Sequence, residues 1–200
     1  MRIIRGPVVI AFISIFLSSP VSACEEYKSH TMEEVKEYRD VLENPVADTL
    51  DRIFSFEQLV CSDKPSLRNY ALRQGLSKDS DALLRNQTMF RAMMQMKRVD
   101  VELGTSKKLT KSDKKFIRDN SGIYSKSVNY RSESEGCLSL YSHNSCNTGT
   151  SLFIKGDKVE YNFRKIYGEF RLAETGEMIG FLRVSSTSRH SRIPAVIKLY

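Results

Sequence analysis

Four cations in this chain fall at helical spacing. Lys111, Lys114, Lys115 and Arg118 stand at i, i+3, i+4 and i+7, which places them on one stripe of an α-helix with Phe116 and Ile117 turned elsewhere. Lys107 and Lys108 extend the run. Each like-charged pair one turn apart costs roughly 0.2–0.5 kcal/mol, so a helix built this way calls for a counter-charge. Either an acidic stretch of the same chain supplies it or an anionic ligand does. A solvated or internally paired face is the plain alternative.

Other groups point to less. Cys137, His143 and Cys146 are zinc-donor types, but their spacing is not that of a knuckle or finger, and two cysteines in an exported chain pair more readily as a disulfide. Met89, Met93, Met94 and Met96 offer thioethers of the kind that bind Cu(I). Their i, i+4, i+7 spacing beside Leu83 and Phe90 reads instead as a wide buried helix face. His30, His143 and His190 are scattered. No Gly-x-Ser-x-Gly elbow, paired-His helix motif or phosphate-cradling glycine loop is present. The expectation is therefore no catalytic residue, no metal and no cofactor, with an enzyme of dispersed site as the weaker alternative.

The chain opens with Arg2 and Arg5, followed by an uncharged run from Pro7 to Leu17. That run is about half the length a bilayer-crossing helix needs, and reads as a signal-peptide core. Ser18-Ser-Pro-Val-Ser-Ala23 supplies a helix break and small residues before a cut after Ala23. Val21-Ser-Ala-Cys24 also resembles a lipobox, in which Cys24 would be acylated. Counting favours cleavage without acylation: Cys24, Cys61, Cys137 and Cys146 form an even set that can pair completely in an oxidising compartment. Of the three possible connectivities, Cys24 with Cys61 and Cys137 with Cys146 fits the element boundaries best.

The formal charge is +7 over the full chain. Its distribution is uneven: residues 24–63 carry a net −7, residues 64–119 a net +8, and residues 120–200 a net +4. The acidic and basic segments either pack together and neutralise one another, or leave a basic surface open to an anionic partner.

These residues need elements to hold them. Thr31 and Glu34 match a capping box, so a helix starts there, with Met32, Val35, Tyr38 and Leu42 on its apolar face. Asn44-Pro45 is expected to end it and open a second helix that closes at Cys61. Ser62 to Pro65 starts a third, and Ser77 to Ser80 caps a fourth running to about Lys97. Val99 to Leu103 alternates like a strand, and Thr110 with Asp113 caps a further helix carrying the basic stripe. From Tyr124 onward, β-branched and aromatic segments alternate with turn residues, among them Lys155-Gly-Asp-Lys158 and Glu174-Thr-Gly-Glu177.

The fold class expected is α+β: an N-terminal helical segment of about four to five helices, then a small antiparallel β meander forming a barrel or sandwich. Residues 1–23 read as a signal peptide, 24–120 as a helical domain and 121–200 as an antiparallel β domain. In outline this resembles periplasmic binding modules and small inhibitor or immunity proteins. The functional expectation is a periplasmic or secreted, non-enzymatic binding protein. Its partner is a protein or an anionic envelope component and not nucleic acid; a membrane becomes the partner only if Cys24 is acylated, which gives an envelope lipoprotein with a structural role.

Overall fold

A computed structural model describes residues 24, 26–184 and 192–200. The leader assigned to residues 1–23, and His190, lie outside the described residues. Among the described residues, five helices and nine strands make an α+β fold in which helices precede and pack against a curled antiparallel sheet.

Helix α1 (Met32–Glu43) begins as its capping box requires: Thr31 Oγ1 accepts from the Glu34 amide at 3.2 Å, and Glu34 Oε2 accepts from the Thr31 amide at 2.8 Å. Helix α2 spans Thr49–Val60 and starts later than Asn44-Pro45 suggested. Asn44 is spent on closing α1 and on accepting from the Val46 amide, and the Asp48 carboxylate caps the next helix by accepting from Leu50 at 2.8 Å. Helix α3 (Pro65–Gly75) uses proline in its first turn, and α4 (Ala82–Gln95) is capped by Asp81. Met89, Met93 and Met94 are fully buried and join the hydrophobic core.

The strands are β1 (Arg98–Leu103), β2 (Ile123–Ser127), β3 (Tyr130–Ser132), β4 (Cys137–Ser139), β5 (Ser151–Lys155), β6 (Lys158–Phe163), β7 (Ile166–Leu172), β8 (Met178–Val184) and β9 (Ile193–Ile197). Helix α5 (Lys111–Asp119) lies between β1 and β2. Sheet order is β2-β1-β9-β8-β7-β6-β5-β4-β3, with every pairing antiparallel. β1, from the stretch before residue 120, thus joins the sheet between β2 and β9. The expected turns at Gly156 and Gly176 both carry positive φ, where a Cβ would be strained.

The sheet curls because its two ends must meet. β2 and β3 occupy opposite ends of the strand order yet are joined by only Val128 and Asn129. Those two residues touch both sides: the Val128 amide donates to Lys97 O and the Asn129 amide to Ser139 O, each at 2.9 Å. The curl turns alternate residues inward. Val99, Val101, Val159, Tyr161, Ile193 and Ile197 are all buried.

Three arginines fasten the sheet to the helices. Arg131 of β3 donates to Met94 O and Met96 O at 2.5 and 3.2 Å, and Arg85 donates to Ala173 O. Arg91 of α4 bridges Glu57 at 2.9 Å and Glu133 at 3.0 Å. Two disulfides, Cys24–Cys61 and Cys137–Cys146, follow the sequence-near connectivity. The first straps the start of the described chain to the end of α2, beside the backbone pair in which Lys28 donates to Cys61 O and accepts from Asp63.

Candidate anion-binding face

The basic stripe forms as its spacing predicts. Thr110 caps α5 by accepting from the Asp113 amide at 3.2 Å, and buried Asp113 returns the contact by accepting from the Thr110 amide at 2.8 Å. Phe116 and Ile117 pack inward against the core. Asn120 ends the helix and donates from Nδ2 to Phe116 O at 2.8 Å. Lys111, Lys114, Lys115 and Arg118 are all exposed, as are Lys107 and Lys108 in the preceding loop.

The counter-charge expected from the acidic first segment does not reach this helix. Among the described residues the only ion pair on the stripe is Lys115 with Asp119, at 2.5 Å on the same helix. The acidic segment's described ion pairs lie elsewhere: Glu43 meets Arg39 within the segment, and Glu57 reaches the basic segment at Arg91 of α4, away from α5, while Glu34 caps α1. Lys111 stands at the first position of α5, where the amide dipoles disfavour a cation, so its charge does nothing for the helix.

The curled sheet carries the basic surface further. Phe116 lies 5.5 Å from Tyr124 of β2, ring centroid to ring centroid. Above the Tyr124 ring stands Lys126, its Nζ 5.0 Å from that centroid and 4.8 Å from that of Phe163. The Arg164 guanidinium covers the same Phe163 ring at 5.5 Å and Tyr141 at 5.6 Å. Neither Lys126 nor Arg164 has a carboxylate partner among the described residues. Beneath them, Tyr124 and Tyr161 face one another inside the curl with centroids 6.3 Å apart. Burial pushes the Tyr124 phenol up to about 12 and raises Tyr161 as well.

Lys126 and Arg164 escape a reading by helical period. The signal that could have found Lys126 is the two-residue period of a strand, which puts it on the same face as Tyr124. Arg164 had no such signal, because its place beside Lys126 depends on the curl.

The remaining sequence-flagged residues go elsewhere. Cys137 and Cys146 spend their sulfurs on each other, so neither is a thiolate donor, and exposed His143 stands on the loop between them. His30 Nε2 donates to Gln58 O at 3.1 Å and lies edge-on to Tyr38, bracing α1 against α2. A cleft of about 290 Å³ beside β1 holds Arg98, Asp100, Glu102 and Lys198. Its charges pair off, Arg98 with Asp100 and Lys198 with Glu102, each at 2.8 Å. The Arg98 hydrogen bond holds Asp100 below the usual carboxylate range, which is no state for a proton donor near neutral pH.

No described helix is long and apolar enough to cross a membrane. Set against known proteins, the chain matches no family model, no curated protein and no solved structure.

Proposed function

We propose that this chain is exported, is cleaved before Cys24, and acts in a periplasmic or secreted setting as a non-enzymatic binding protein for an anionic partner, a protein or an envelope component. The observation that carries this reading is the exposed cation stripe on α5, which makes no ion pair with the acidic segment among the described residues. Like charges held together at a cost in stability are explained by a ligand that neutralises them. The two disulfides support an oxidising compartment. The bond from Cys24 to Cys61 favours the unacylated form, since a thioether to lipid needs the same sulfur.

Capture tests it. The folded chain beginning at Cys24, immobilised and offered an envelope extract and an exported-protein fraction, retains an acidic macromolecule that K111S/K114S/K115S/R118S does not retain. Equal retention by both chains, or none by the first, contradicts the reading.

A further inference from the structure

Arg164 occupies the first position of the two-residue turn between β6 and β7, where Phe163 pairs with Ile166. Its φ of 57° lies in the left-handed region that glycine adopts freely and a long side chain does not. The backbone is held there by the Arg164 amide, which donates to Gly149 O at 2.7 Å. The side chain gains no ion pair in return among the described residues; it shares the Phe163 ring with Lys126, a second unpaired cation. Two like charges on one aromatic ring repel, and a strained backbone places one of them. A two-residue turn demands a positive φ at its first position, and glycine or asparagine fills that position at less cost than arginine, so the turn does not explain the choice of a long cationic side chain.

We propose that Lys126 and Arg164, set on the rings of Phe163, Tyr124 and Tyr141, form a receptor for a phosphate monoester group of the anionic partner. This deepens the reading of α5 and rests on it, by naming the chemistry of the group recognised. Two cations with no internal counter-charge favour a dianion over a carboxylate, and at neutral pH a phosphate monoester approaches two negative charges. The guanidinium offers a planar fork of donors matched to phosphate oxygens, and the ammonium a compact second charge. Arg164 and Tyr141 are exposed, so the group enters from solvent. A soluble or polymer-borne ester and a lipid headgroup share this chemistry.

The test is an amide NMR titration of the folded chain beginning at Cys24 with inorganic phosphate at constant ionic strength. Saturable shifts are expected at Lys126 and Arg164, with none from acetate. R164G removes one cation and relieves the turn, so it should weaken phosphate binding at least tenfold while raising Tm. K126M should weaken binding to a similar extent without lowering Tm. Shifts that do not saturate, R164G binding within twofold of the parent chain, or R164G melting lower would each overturn the proposal. Vesicles of phosphatidylcholine containing phosphatidic acid, compared with phosphatidylcholine alone, separate the sources: selective binding assigns a lipid headgroup, and binding of free phosphate alone assigns a soluble or polymer ester. Failure here is distinct from failure of the α5 reading. Partner capture that depends on α5 with no phosphate site sinks this inference alone, whereas a phosphate site with capture indifferent to α5 sinks the other.

Discussion

Phe116 of α5 lies 5.5 Å from Tyr124 of β2, ring centroid to ring centroid, and this contact ties the basic helix to the curled sheet. α5 has nine residues, too few to persist as an isolated helix in water, so its orientation depends on what its apolar side touches. Phe116→Ala removes a half-buried ring and should cost about 2 kcal/mol, less than the truncation of a fully buried aromatic. Anion binding should fall with it, because the stripe loses its fixed direction. Urea unfolding read beside a binding isotherm checks both; a variant that binds normally after losing that stability would show that stripe orientation does not matter.

The Cys24–Cys61 bond closes the longer of the two disulfide loops, with a sequence separation of 37 against 9 for Cys137–Cys146. Chain-entropy arithmetic assigns about 4 kcal/mol to the first and about 2.7 kcal/mol to the second. Cys24→Ser with Cys61→Ser should therefore lower the urea midpoint more than Cys137→Ser with Cys146→Ser. Intact mass of the exported protein bears on the same bond: the expected species begins at Cys24, carries no lipid and yields no alkylated thiol before reduction.

Arg91 is the one cation shared by Glu57 and Glu133, with about a fifth of each side chain exposed. Removing it strands two carboxylates near α4, with Gln87 still donating to Glu57. Arg91→Ala should cost about 2–3 kcal/mol, below the full penalty for breaking a buried pair because solvent reaches the site. Adding Glu57→Gln and Glu133→Gln to Arg91→Ala should recover part of that loss in thermal unfolding. A triple variant no more stable than the single one contradicts the stranded-charge explanation.

Stability should fall at alkaline pH. Burial raises both Tyr124, to about 12, and Tyr161 above their ordinary value near 10. A folded-state pKa raised above the unfolded value means that the folded chain keeps its proton longer, so this contribution is complete below about pH 10 and is lost as pH rises toward 12. Tyr161→Phe removes the more deeply buried of the two phenols, so it should flatten the alkaline decline. Melting temperature followed from pH 8 to 12 reads both, and an unchanged alkaline slope in Tyr161→Phe would count against the assignment.

Gly180 of β8 faces Glu169 O so closely that an added Cβ would lie 1.9 Å from that oxygen. Backbone cannot yield as a flexible side chain can, so Gly180→Ala should force the β7–β8 pair apart and cost about 2–3 kcal/mol. Gly156→Ala makes a useful comparison, since nothing lies within 4 Å of the added atom and only the turn conformation is strained. It should lose about 1 kcal/mol in the same denaturation measurement.

Local chemistry was legible in the chain and long-range closure was not. Thr31 with Glu34 and Thr110 with Asp113 announce their helices because a capping box is complete within four residues. Alternation runs through β1 and β6 for the same reason: the period is a property of the segment. The start of α2 was misplaced because Asn44 and Asp48 are both competent caps, and spacing alone does not choose between them. The candidate site divides along this line. Lys111, Lys114, Lys115 and Arg118 are neighbours by helical repeat, whereas Lys126 and Arg164 become neighbours only because the sheet curls β2 toward β6.

Elution from an immobilised polyanion under a salt gradient, comparing variants of equal net charge, most directly tests whether the α5 stripe is a binding surface. K111S/K114S/K115S/R118S is set against K64S/K78S/K155S/K158S, which removes four positive charges away from α5. The account predicts that the stripe variant elutes at clearly lower salt than the parent chain while the scattered variant stays close to it, since local charge density and not the total governs contact. Equal shifts in the two variants would reduce the stripe to a share of bulk charge and contradict the claim.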